Sequence, residues 1–210
     1  YAPRTPAEAL RGDPGSLIYP MFDPDRHFRR NPCEWKDYRY RYAAVDLGGT
    51  DPTAAMVAGV DRGNIQMHSL FWRAGGESRG LDDIVSWLWQ WHLKGKIHTL
   101  VIDPPIDDLV KQFQAWGFNA KGREGKKSDG IEQVANALGG GYLFHDVSMA
   151  KQITREYTSY YARERLDPHS KERYATATPV DHHADSLDCV RMIMREVVAA
   201  LQEARVPVAG

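Results

Sequence analysis

Between Tyr40 and Trp72 three apolar runs follow one another with no space between them for a helix. Tyr40–Val45 ends at Asp46, and Thr53–Val60 and Ile65–Trp72 follow. The links are Gly48-Gly49 and Asp61-Arg62-Gly63-Asn64. Gly, Asn and Asp mark tight turns because they tolerate left-handed backbone or bond their own main chain. Three strands joined this way make an antiparallel meander.

After residue 80 the pattern changes period. Leu81–Leu93 carries apolar residues at 81, 84, 85, 88 and 91–93, a helical spacing. Asp82 and Asp83 fall in its first turn, where the helix dipole favours negative charge. Thr99–Ile102 reads as a short buried strand ending at Asp103-Pro104-Pro105, and Ile106–Trp116 as a helix stopped by Gly117. Phe118–Ala120 reads as a short strand. Ser128 is the expected cap of a helix through Leu138, stopped by Gly139-Gly140-Gly141. Tyr142–Phe144 is a further strand, Ser148–Tyr161 a helix, Glu164–Pro179 a hairpin excursion around Asp167-Pro168, and His182–Ala204 a long amphipathic last helix. Trp87 and Trp91 share a face and are expected in the core, with Trp89 outside; Tyr157, Tyr160 and Tyr161 are expected to pack. The order β-β-β-α-β-α-β-α-β-α predicts an α/β domain with a mixed sheet flanked by helices. Residues 1–36, rich in Pro, Arg and Asp, read as an extended lead-in with little regular structure, which leaves 37–210 as the folded domain.

The 210 residues, 42% hydrophobic and 26% charged, suit one globular, soluble domain. No apolar run nears the ~20 residues of a membrane span, and no secretory signal opens the chain. Cys33 and Cys189 sit in unlike contexts, so a reducing cytoplasm is the expected compartment. The first residue is Tyr, which suggests an excised domain or a processed product. Net charge is −1, with 27 basic and 28 acidic residues. An acidic metal site would offset basic patches in that sum, so it decides nothing about nucleic acid.

Three carboxylate sites stand out by position. Asp46 ends the first strand, Asp103 ends a buried strand, and Asp185 and Asp188 open the last helix. Two strand ends and a helix start can meet at one edge of a sheet. Carboxylates gathered there repel one another unless a cation neutralises them. Oxygen-only donors select Mg²⁺ or Mn²⁺ over zinc. Two such ions are the usual machinery of phosphodiester hydrolysis. Asp before Gly or Pro, and Asp in a first helical turn, are also ordinary turn and cap chemistry. His182-His183 has no Cys or His partners at zinc-finger spacing.

The chain resembles the nuclease domain of the large terminase subunit of tailed bacteriophages. The resemblance spans nearly the whole sequence. It rests on Gly15–Phe22 with Asp23–His27; on Ala44-Val45-Asp46-Leu47-Gly48-Gly49-Thr50-Asp51-Pro52-Thr53-Ala54; and on Val101-Ile102-Asp103-Pro104. It continues in the glycine-then-basic stretch Gly117–Gly130 and in Asp181-His182-His183-Ala184-Asp185-Ser186-Leu187. It implies an RNase H-like fold and a two-ion (Mg²⁺ or Mn²⁺) endonuclease that cuts concatemeric double-stranded DNA during genome packaging, leaving 3′-hydroxyl and 5′-phosphate ends. Asp46 would bridge the ions, Asp103 and Asp185 would each hold one, and Asp51 and His182 would support them. Arg is frequent in the family where Asp188 stands, and other members carry Asp; three residues after Asp185 on the same helix face, Asp188 would be a further ligand or even the main one. Lys121, Arg123, Lys126, Lys127, Arg163 and Arg165 are candidates for DNA phosphates. Implied partners are the ATPase motor domain of the same subunit, the portal and the small terminase subunit, in the cytoplasm of the phage's host and without a membrane. Gly122–Ser128 imitates a nucleotide-binding loop, but its glycines are too close together, so no ATP is expected in this domain. Other readings are another RNase H-like nuclease or resolvase, a catalytically silent DNA-binding or motor-docking module, and a fragment of an actin-like sugar kinase, suggested by Val45–Thr50.

Overall fold

The computed structural model describes residues 17–48, 51–75, 81–166, 173–179 and 184–203; of 163–166 and 173–179 it describes the backbone. The meander forms as β2 (Tyr40–Asp46), β3 (Thr53–Asp61) and β4 (Asn64–Arg73), antiparallel in sequence order. The turn from β3 to β4 is made by Arg62 (φ 48°) and Gly63 (φ 80°), the left-handed pair that a tight hairpin requires. Helix α2 (Leu81–Lys94) then leads to β5 (Thr99–Asp103), which runs parallel to β2. Helix α3 (Asp107–Ala115) leads to β6 (Ala120–Gly122), parallel to β5. Helix α4 (Lys127–Gly140) leads to β7 (Leu143–Asp146), parallel to β4. The described part of 17–36 is more regular than expected. Asp23 caps the short helix α1 (Pro24–His27), and β1 (Phe28–Arg29) adds an edge strand parallel to β7. The seven-stranded sheet thus has the order β1-β7-β4-β3-β2-β5-β6.

Helix α5 (Ala150–Ser159), the antiparallel pair β8 (Ala162–Leu166) and β9 (Arg173–Pro179), and helix α6 (Asp185–Glu203) follow among the described residues. No helix among the described residues is long and apolar enough to cross a membrane.

Both faces of the central strands are buried, so their side chains alternate between two cores. Tyr42 and Ala44 of β2 and Val101 of β5 pack with α4, α5 and α6. Ala43, Val45, Leu100 and Ile102 pack on the other side with α2 and α3. The alternation in β4 is reset by a bulge. The register passes from Val57–Ser69 to Ala58–Met67, so β4 holds one extra residue there.

Local details differ from expectation. Ser128 does not cap α4: Lys126 stands at the cap, and the Ser128 hydroxyl donates to Asp129 instead. The helix runs on through Gly140, and Gly141 closes it at φ 70°. The sixth strand is displaced to Ala120–Gly122, because Phe118 is drawn into the core while Ala120 pairs with Leu100. A 3₁₀ turn, Val147–Met149, replaces the first turn of the expected helix from 148. Trp89 is half-buried against Phe118 and His92 rather than outside. Tyr157 and Tyr160 are core, as expected.

Candidate metal centre

Asp46 and Asp103 end neighbouring parallel strands and are register partners. Strand parity decides where they point. Asp46 follows Tyr42 and Ala44, and Asp103 follows Val101, so both carboxylates emerge on the α6 side of the sheet. Helix α6 begins over that edge with Asp185 in its first position and Asp188 one turn on. Its N-terminus is seated by a buried acid from α5. Glu156 Oε2 accepts the Leu187 amide at 3.0 Å, while Gln152 donates to Oε1 at 2.7 Å. That satisfies one of the amides that a helix start leaves unpaired.

These acids line one cleft of about 510 Å³ together with Asp51, and its basic residues are Arg123, Lys126, Lys127, Arg191 and Arg195. Burial, and then the charges of Asp103 and Asp185, push the Asp46 carboxyl up to about 7, against Arg191 and Lys127. At Asp46 the charges of Asp103 and Asp185 thus weigh more than those of Arg191 and Lys127. An all-oxygen donor set in that state fits a hard divalent cation.

Two of the other acids, Asp103 and Asp188, already have protein counterions. Arg123 Nε lies 2.8 Å from Asp103 Oδ2. Asp188 is paired with the buried Arg191 and, at 3.5 Å, with Lys127. Among the described residues no three His, Cys, Asp or Glu groups stand at metal-coordinating spacing. The turn before α4 is built around this cluster. Gly125 has φ 73°, and a Cβ there would collide with the Arg195 guanidinium, which bonds the Lys126 carbonyl at 2.9 Å.

The structure thus brings together Asp46, Asp51, Asp103, Asp185 and Asp188, with Arg123, Lys126 and Lys127 beside them. Lys121 is turned to Glu196, at 2.8 Å. His182 lies outside the described residues, and so do the side chains of Arg163 and Arg165. Sequence reasoning missed Glu156, Arg191 and Arg195. The spacing Asp188-Arg191-Arg195 marks one helix face and could have flagged the two arginines. Nothing in the linear pattern flags Glu156.

A mixed sheet whose adjacent parallel strands end in carboxylates, facing the start of a long helix, defines an α/β fold of the RNase H-like class. No family model matches the sequence, and no curated protein matches it. Solved structures do match in fold. The large terminase of a thermophilic bacteriophage superposes with a TM-score of 0.72 at 22% identity, over 87% of this chain and 44% of that one. The large terminase nuclease of the thermophilic phage G20c, with bound magnesium, gives 0.62 at 17% identity over 86% and 97%. The nuclease domain of the SPP1 large terminase, with bound manganese, gives 0.59 at 13% over 80% and 95%. The chain therefore spans less than half of the first of these proteins and nearly matches the length of the two nuclease domains. Its fold is that of terminase nuclease domains, as the sequence motifs imply.

Proposed function

We propose that this chain is the metal-dependent endonuclease domain of a phage terminase large subunit and that it cuts double-stranded DNA in the Asp46 cleft. The observation that carries this reading is the register pair Asp46–Asp103 facing Asp185 across a cleft edged with cations. Asp46, Asp103 and Asp185 would hold the divalent ions, Mg²⁺ or Mn²⁺. Such ions, when bound, supply the charge that activates water and steadies the leaving oxygen. The chain's own part is to hold and orient. Lys126 and Arg195 would bind DNA phosphates, and Arg123, paired to Asp103 in the metal-free cleft, would join them once that acid is neutralised. Asp185 is assigned the third corner because its charge acts directly on Asp46, whereas Asp188 is held by Arg191 and Lys127. The motor domain of the same subunit, the portal and the small subunit, in the host cytoplasm, are the partners this reading implies.

The test is cleavage of supercoiled plasmid in Mn²⁺. Asp46→Asn and Asp185→Asn are expected to bring cutting to background, and Asp188→Asn to leave a measurable fraction. Wild-type cutting by Asp46→Asn would refute the assignment.

A further inference from the structure

One row of residues crosses four adjacent strands at the acidic edge: Asp103, Asp46, Ala54 and Trp72 are successive register partners. Strands lie about 4.8 Å apart, so Trp72 stands roughly 10 Å from Asp46 along that row. The β4 bulge brings Trp72 onto the α5–α6 side, where it lines a shallow cleft of about 490 Å³ with Ser69, Ser148, Lys151, Gln152 and Arg155. No acidic side chain among the described residues lines this shelf.

Its members are also underused by the fold. The other five tryptophans each make a ring contact, whereas Trp72 makes none among the described residues and is 36% exposed. Lys151 and Arg155 are exposed, lie one helical turn apart on α5, and have no ion-pair partner among the described residues. In the acidic cleft, by contrast, Arg123 and Lys127 are paired to carboxylates. A flat aromatic surface beside two unneutralised cations is the combination that binds nucleic acid through stacking and phosphate contacts.

The geometry points to a second DNA subsite at Trp72, Lys151 and Arg155, which holds the strand leading away from the scissile phosphate. Along one strand of a duplex, phosphates advance by about 3.4 Å of axis each, so the shelf lies about three phosphates from the cut. Lys151 and Arg155 hold the backbone, Ser148 and Gln152 offer hydrogen bonds, and the Trp72 indole lies against a sugar or an unstacked base. The inference rests on the nuclease reading above, and it adds where the DNA runs.

The experiment measures binding of a short labelled duplex by fluorescence anisotropy across a salt series, in an Asp46→Asn background that leaves the duplex intact. Plasmid cleavage is followed in parallel with Asp46 restored. Lys151→Ala/Arg155→Ala is expected to weaken binding and to make the slope of log K against log salt shallower by about 1.8, two contacts at about 0.9 each. Trp72→Ala is expected to weaken binding about five- to a hundredfold with the slope unchanged, and Trp72→Phe to keep most of the affinity. Lys111→Ala, exposed on α3, serves as the control and should bind as the parent does. Parental affinity and slope in both shelf variants, while the chain with Asp46 intact cuts DNA, would overturn the subsite and leave the nuclease standing. Equal weakening by Lys111→Ala would overturn it as well, by showing diffuse attraction. A parent that neither binds nor cuts DNA removes the nuclease reading, and the subsite with it.

Discussion

At Asp46 the chain accepts a charge that its own fold does not neutralise. Burial and two neighbouring acids push that carboxyl up to about 7. Removing the charge while keeping the shape should relieve the repulsion. Asp46→Asn is expected to raise the melting temperature of the metal-free protein and to lose the rise that Mn²⁺ gives the parent. With ion at about a hundred times its Kd, linkage contributes about 2.7 kcal/mol, roughly 5–10 °C for a chain of this size. Calorimetry with and without Mn²⁺ checks both parts, and a metal-free melting temperature at or below the parent's would argue against the repulsion. Asp46 and Asp103 were legible in the sequence because each ends an apolar run at a turn, and strand parity does the rest. Arg123 was legible only as a basic loop residue. Its contact with Asp103 depends on β6 pairing with β5, which no local pattern encodes.

At the scale of elements, the third carboxylate is only as well placed as the start of α6. That start is held by Glu156, whose own carboxyl is pushed up to about 7 by burial, against hydrogen bonds from Gln152 and the Leu187 amide. Glu156→Ala would leave the Leu187 amide buried without its acceptor, a loss of about 1–3 kcal/mol. Glu156→Gln keeps an acceptor and should lie nearer the parent. Urea unfolding midpoints decide this: equal stability of the Ala and Gln variants would show that the contact seats nothing. The strands and helices themselves followed from hydrophobic period and turn residues, with boundaries off by a few positions. The misreadings came where tertiary packing overrode local preference. Ser128 lost its capping role to Lys126, and Phe118 left the strand for the core.

For the whole molecule, the segment that leads into β2 is fastened to the sheet at Trp35 and Tyr38 by an aromatic cluster around His68. Trp35, Tyr38 and Trp91 each place a ring within 5.7 Å of it, by centroid. Burial pushes the His68 imidazole down to about 4. The unfolded chain takes up that proton near pH 6.5, so between these values the unfolded state binds more protons and acid favours it. The stabilisation from neutral His68 is complete above pH 6.5 and is lost as pH falls toward 4. In urea titrations the parent's midpoint should fall relative to that of His68→Asn across this window. A constant difference would show that His68 titrates as it does in water.

The extra residue in β4 lies at this same histidine, between Met67 and Ser69. At that point the alternation of side chains is interrupted once. Straight alternation through the same residues would turn Trp72 under α2, away from the acids, and give Phe71 the open side. Which ring is offered to solvent beside the acidic edge is therefore set by a backbone irregularity at a histidine that lines neither the acidic cleft nor the shelf.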